Sequence, residues 1–196
     1  KNLEEVSRDV KQRDLERKSS SQSVVKLGTA IEIYPDKRLP HFDNGPVKAY
    51  LAAPQSSTAS SYYALVCERH LVPRHNVAEV YAGIMNPSLA QVAMTGVVYW
   101  PEAKQERFVF IYKIMPSIRL LNPQGVQAKG LRQDEVMNGV VKCMVSVLQD
   151  FRDKDFVHGN IRPSNMYQRG STNKVEGIVL GDCLSLPPSY AQPALY

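Results

Sequence analysis

Cysteine is scarce in this chain of 196 residues: Cys67, Cys143 and Cys183 stand far apart and make no Cys-x-x-Cys pair. That argues against a disulfide framework or a zinc site and points to a reducing compartment. Long apolar runs are missing as well. None approaches the roughly 18 to 20 residues that span a bilayer, and no cleavable secretory signal opens the chain. There is no dense basic block and no internal repeat. The formal charge of +5 comes from 24 Lys and Arg against 19 Asp and Glu scattered along the sequence, so no specific nucleic-acid partner is expected. What is present is an ordinary globular composition, 43% hydrophobic and 22% charged, at a length that suits one or at most two domains. The chain opens on Lys1 and stops at Tyr196, which reads as an excised piece. A cytoplasmic location is expected, either alone or as part of a larger or membrane-attached protein.

Residues 1–23 read as a charged helical segment and linker, with Leu3, Val6 and Val10 at helical spacing and serines at 19–21 and 23 breaking the pattern. A solvated helix and a docking segment, including one for self-association, are both open. Extended runs follow at Val24 to Ile33, ending before Pro35, at Val47 to Ala52, and at Tyr62 to Cys67 after the serine-rich turn Ser56 to Ser61. A helix is expected from Asn76 to Met85, closed by Asn86 and Pro87. Two more strands are expected at Gln91 to Trp100 and Arg107 to Met115. Beyond Pro116, Val136, Val140, Met144, Val147, Leu148 and Phe151 fall at three- and four-residue spacing and predict one face of a long helix. Val175 to Leu180 reads as a strand running into Gly181, Asp182 and Cys183.

Between that helix and strand lies Phe156 to Met166, with His158, Gly159, Asn160, Ile161, Arg162, Pro163, Ser164 and Asn165 in succession. This run resembles the protein-kinase catalytic loop, His-Arg-Asp-Leu-Lys-Pro-Glu-Asn. Together with the order of elements it makes residues 27–196 look like a protein kinase-like domain, and specifically a pseudokinase. The resemblance implies an α+β, bilobal fold. A five-stranded antiparallel N-lobe sheet with one helix would occupy 24–115, and a partial, mainly helical C-lobe would occupy 116–196, ending at the activation segment.

The resemblance also sets out which chemical parts are altered. The base position carries Asn160, an amide with no useful basicity near neutral pH. The phosphate-covering glycine turn matches Leu39 to Val47, where only Gly45 survives and Pro40 and Pro46 remove two backbone donors. A plain hairpin turn on Asp43, Asn44 and Gly45 is the favoured reading there. The strand lysine falls on Val66 or Cys67, neither a cation. Glu79, the candidate helix glutamate, then lacks its usual partner unless Arg69 or Arg74 substitutes. Asp182 stands at the Asp of Asp-Phe-Gly and Asn165 at the loop Asn, both hard-oxygen candidates for Mg²⁺. A purely structural carboxylate bonded to backbone amides is equally open for Asp182. Arg162 stands where a lysine steadies phosphate, and His158 where a histidine braces the turn. Gln192 to Ala194 is a weak counterpart of Ala-Pro-Glu.

Catalytic residues are therefore not expected and the chain is expected not to be an enzyme. It reads as a regulatory or scaffolding module with a protein partner, and Tyr62, Tyr63 and Tyr99 are candidate contacts. No cofactor is expected, although Mg-ATP held weakly by Gly45, Arg162, Asp182 and Asn165 stays open. The alternative function is a Mg-nucleotide-binding switch or residual phosphotransferase using Asp182 and Asn165.

Overall fold

The computed structural model describes residues 24–55, 61–120, 130–171 and 174–188. The expected N-terminal helix and linker, most of the serine-rich turn and the Gln192 to Ala194 motif lie outside them. Six strands form one antiparallel sheet: Val25–Leu27 (β1), Ile31–Arg38 (β2), Lys48–Pro54 (β3), Tyr62–Val66 (β4), Val92–Trp100 (β5) and Gln105–Lys113 (β6), in the order β1-β2-β3-β4-β6-β5. Five were expected. The first run is split because Gly28, at φ 58°, takes the left-handed conformation that turns the chain, so Leu27 and Ile31 face each other across a hairpin. Nor does Pro35 end the second strand. It sits where the β2–β3 register shifts between Tyr34 and Arg38, so its missing N–H falls at an irregularity in the ladder.

The sheet curls until its ends meet. Leu27 of β1 lies so close to Gly96 of β5 that a Cβ there would stand 2.6 Å from the leucine side chain. Inside the curl pack Ile33, Ala52, Ala64, Val66, Val109 and Ile111. Period-two alternation sends Tyr63, Leu65 and Cys67 to the opposite face, where they join Phe110 and Tyr112 in a core shared with the second half of the chain. Of the three tyrosines expected as contacts, Tyr63 is therefore buried, whereas Tyr99 is 60% exposed on β5.

The helix expected over 76–85 is shorter. A 3₁₀ turn His75–Val77 leads into Ala78–Ala82, and the chain leaves the helix at Gly83. The long helix begins as a π-helical segment, Glu135–Val141, and continues as an α-helix, Lys142–Asp153. Val147 and Phe151 of its predicted face are buried, and Val140 and Met144 pack against the core. Val136 and Leu148 point outward, 37% and 42% exposed. At Gly139 the helix passes so close to the next hairpin that a Cβ would meet the Val175 carbonyl oxygen at 2.9 Å. That hairpin pairs Met166–Ser171 (β7) with Lys174–Leu180 (β8); β7 is an element that periodicity did not suggest. Leu180 ties the halves together, donating to Ser88 O at 2.8 Å and accepting from Ala90 N at 2.8 Å. Among the described residues, no helix is long and apolar enough to cross a membrane.

Candidate functional site

The loop after the long helix is held by its own aromatics. Phe156 packs on Phe151, centroids 5.2 Å apart, and on Tyr81 at 6.1 Å. His158, 2% exposed, hydrogen-bonds through Nε2 to Gly181 O at 3.1 Å and accepts at Nδ1 from Asn160 N at 3.1 Å, so Nε2 carries the proton. Burial lowers its pKa to about 3 against the helping bond from Gly181, and Arg74 adds to the lowering. Gly159 takes φ +70° and packs on Pro188, where a Cβ would lie 2.8 Å from the proline Cβ. Glycine at 159 therefore meets a local backbone requirement. Pro163–Asn165 forms a 3₁₀ turn that brings Asn165 under the end of β8.

Asp182, 3% exposed, follows β8 and is the centre of the cluster. One carboxylate oxygen accepts from Tyr112 Oη at 2.5 Å, Leu184 N at 2.9 Å and Ser185 N at 3.1 Å. The other accepts from Asn44 Nδ2 at 2.7 Å, from Ser185 N at 3.2 Å and from the Ser185 hydroxyl. Its carbonyl oxygen accepts from Asn160 Nδ2 at 2.7 Å and Asn165 Nδ2 at 3.0 Å. Both amides named by the resemblance thus donate to backbone.

The fifth side chain comes from an unexpected place. Asn44 lies in the β2–β3 connection, in a turn closed by Asn44 N to Val47 O at 3.0 Å and Val47 N to Asn44 O at 3.1 Å, with Gly45 at φ 58°. Only 4% exposed, it reaches down to Asp182 with its amide nitrogen, while its oxygen accepts from Arg162 Nη2 at 2.9 Å and Asn160 Nδ2 at 3.3 Å. The connection is pinned from both sides. Phe42 stacks on Tyr63 at 4.2 Å, Asp43 pairs with Arg38 at 2.7 Å, and Arg119 donates to His41 O at 2.9 Å and Asp43 O at 2.5 Å. Gly45 serves this turn, as the hairpin reading expected.

The electrostatics follow from this packing. Burial, with Arg119 next, lowers the pKa of the half-buried Arg162. Burial first, then Asp182, raises the Tyr112 phenol and the Cys67 thiol, so both remain protonated beside the carboxylate. Cys67 lies on the sheet face turned to Asp182 and Val66 on the other. Glu79 is exposed, while Arg74 is committed to the carbonyls of His158 and Val157, each at 2.8 Å, and of Cys183 at 3.3 Å. Asp182, Asn165, Asn160 and Arg162 are thus brought together; Val66 and Glu79 stand apart. Asn44, Ser185, Tyr112 and Arg74 complete the cluster. Of these only Asn44 and Arg74 had drawn notice in the sequence, for other reasons.

As folded, these residues do not fit Mg-nucleotide. The Asp182 oxygens are filled by five protein donor groups, and Asn165 turns its nitrogen to the Asp182 carbonyl. No group of three or more His, Cys, Asp or Glu suited to a metal occurs among the described residues.

No protein-family model and no curated protein sequence matches the chain. Solved structures do match. Rad53 1–466 in complex with AMP-PNP is similar with a TM-score of 0.56 at 10% identity, over 80% of this chain and 38% of that one. The PK-1 kinase of Cydia pomonella granulovirus is similar with a TM-score of 0.50 at 13% identity, over 87% of this chain and 57% of that one. The chain spans less than two thirds of either neighbour. The expectation that the chain is not an enzyme is corrected by these neighbours, because Rad53 and PK-1, which share its architecture, are protein kinases. An amide at 160 and a thiol at 67 are no ground for setting the chain outside enzymes. The fold is kinase-like.

Proposed function

We propose that the chain is a regulatory or scaffolding protein-interaction module on a kinase-like fold, with residues 24–115 and 116–196 as its two lobes. One observation carries this reading: Asn44 from the first lobe occupies the carboxylate of Asp182 and the guanidinium of Arg162 in the second. Polar groups that would hold a ligand instead hold the lobes together, and a fixed lobe arrangement presents a constant outer surface. Exposed Val97 and Tyr99 on β5, and Met137, Val141, Val145 and Leu148 on the long helix, supply apolar surface for a protein partner.

A second reading, a Mg-nucleotide-binding switch with residual phosphotransfer, is favoured by the convergence of Asp182, Asn165 and Arg162 in one cluster and by the AMP-PNP bound to Rad53. The melting temperature with millimolar ATP and Mg²⁺, Mn²⁺ or EDTA separates the two, with Asp182→Asn as control. Ligand at about 100 times its dissociation constant stabilises by roughly 2.7 kcal/mol, several degrees for a domain of this size. The first reading expects no metal-dependent shift. A shift present with metal and absent in Asp182→Asn transfers the weight to the second.

A further inference from the structure

The interior of the curled sheet packs apolar side chains along most of its length and turns charged at one end. There a cavity of about 350 Å³ opens, lined by Tyr50, Val66 and Trp100 among others. These three belong to the core inside the curl, on the sheet face turned away from Asp182. Alternation explains the change of character. Tyr50 and Ala52 of β3, and Val109 and Ile111 of β6, point inward, so period two also turns Lys48 and Arg107 inward at this end. The mouth of a closed or nearly closed sheet is a common place for a small ligand, and the volume lies within the range of such pockets. The aromatic part of the lining is arranged for a flat guest. The Tyr50 and Trp100 rings stand 4.7 Å apart, inclined at 57°, an arrangement against which a third ring can pack edge to face.

The charges around the mouth are unequally satisfied. Arg107 is committed to Glu68 at 2.7 Å and to Cys67 O at 3.3 Å. Arg38 gives Nη2 to both oxygens of Asp43, at 2.7 and 3.0 Å, and lies over the Tyr50 ring at 4.8 Å. Its Nε is buried and has no hydrogen-bond partner. The Lys48 ammonium comes no nearer than 3.7 Å to an Asp43 oxygen that already accepts from Arg38. Two cations beside the rings therefore retain donors, which suits an anionic oxygen. Glu102, the other carboxylate of the lining, is exposed on the β5–β6 turn, where water and salt screen it.

We infer that the mouth of the curled sheet is a binding site for a small aromatic carboxylic acid, whose ring packs on Tyr50 and Trp100 and whose carboxylate meets Lys48 and Arg38. The site lies on the sheet face away from the Asp182 cluster, and it stands whether or not the interaction-module reading does.

Trp100 is the only tryptophan of the chain, so its fluorescence reports on this cavity alone. The test is titration of the full chain with phenylacetate, with its neutral counterpart phenylacetamide, with acetate, which has no ring, and with benzylamine, which reverses the charge. Phenylacetate is expected to change the emission saturably, with a dissociation constant of about 1 mM or tighter. The other three should bind at least about fivefold more weakly, the size of one half-exposed ion pair. Lys48→Gln should bring phenylacetate down to the level of phenylacetamide, and Lys48→Arg, which keeps the charge, should retain it. No saturable change by about 10 mM phenylacetate overturns the inference. So does equal binding of the acid and the amide, of phenylacetate and acetate, or tighter binding of benzylamine. Unchanged affinity in Lys48→Gln overturns it as well. Should that variant fail to fold, the comparison of acid with amide on the unaltered chain decides alone.

Discussion

His158 holds its place through a neutral ring, and that has a measurable cost in acid. Its folded pKa of about 3 lies below the ordinary 6.5, so between those values the unfolded chain binds the extra proton and the folded one does not. Stability from this group is complete above about pH 6.5 and is lost as pH falls toward 3, with a limiting slope of about 1.4 kcal/mol per pH unit. Urea midpoints between pH 4 and 7 should follow that fall in wild type and flatten in His158→Gln, which keeps a donor toward Gly181 O. The bracing role of His158 was legible in the sequence through the resemblance of its motif, although only one of its two backbone bonds is local and the other reaches Gly181, 23 residues on. Asn44 was not legible in that way. Asp43, Asn44 and Gly45 announce a turn, but the direction of the Asn44 side chain depends on Asp182, 138 residues away.

At the level of elements, the close crossing of the π-helical segment over β8 is a tight backbone contact. Glu135 Oε1 accepts from Val175 N at 2.9 Å, and Gly139 lets the backbones approach one turn later. Gly139→Val forces side-chain atoms against a backbone carbonyl that cannot rotate away. A loss of about 1–3 kcal/mol is expected from such overpacking, read as a lower urea midpoint with an unchanged denaturant slope. The long helix itself was readable from the spacing of Val140, Met144, Val147 and Phe151, because burial imposes a 3.6-residue period. Val136 and Leu148 share that apolar character without the burial, and composition alone does not separate the two cases. The β1–β2 split depended on one residue, Gly28, whose left-handed φ is invisible to a count of alternating apolar positions. β7, with Gln168, Arg169, Gly170 and Ser171, lacks the pattern because its outer half is half-buried or exposed.

For the whole molecule, a shared core runs from Ala49, Tyr63 and Phe110 of the sheet to Phe151, Ile178 and Leu184 below it, so the two halves are joined through one interior while the curled sheet keeps a second of its own. Unfolding should be a single transition by both near- and far-ultraviolet circular dichroism. Arg74 strengthens the join by donating to three carbonyls of the second half and lying 4.7 Å over the Phe156 ring. Arg74→Ala should lower stability by about 2–3 kcal/mol, since three hydrogen bonds from a charged group to backbone carbonyls are lost together. Thermal denaturation checks this, and two resolved transitions in the variant would show that the residue couples the halves. Phe42 has a consequence in time rather than in energy. Its ring is wedged between Tyr63 of the sheet and Tyr167 of the lower hairpin, so the loop carrying Asn44 cannot lift by the nanosecond swings open to an untethered turn. Opening requires extraction of an aromatic ring from the core, which is a local unfolding event. Any visitor to the Asp182 cluster therefore waits on the protein's own clock, at a rate that adding more visitor does not raise.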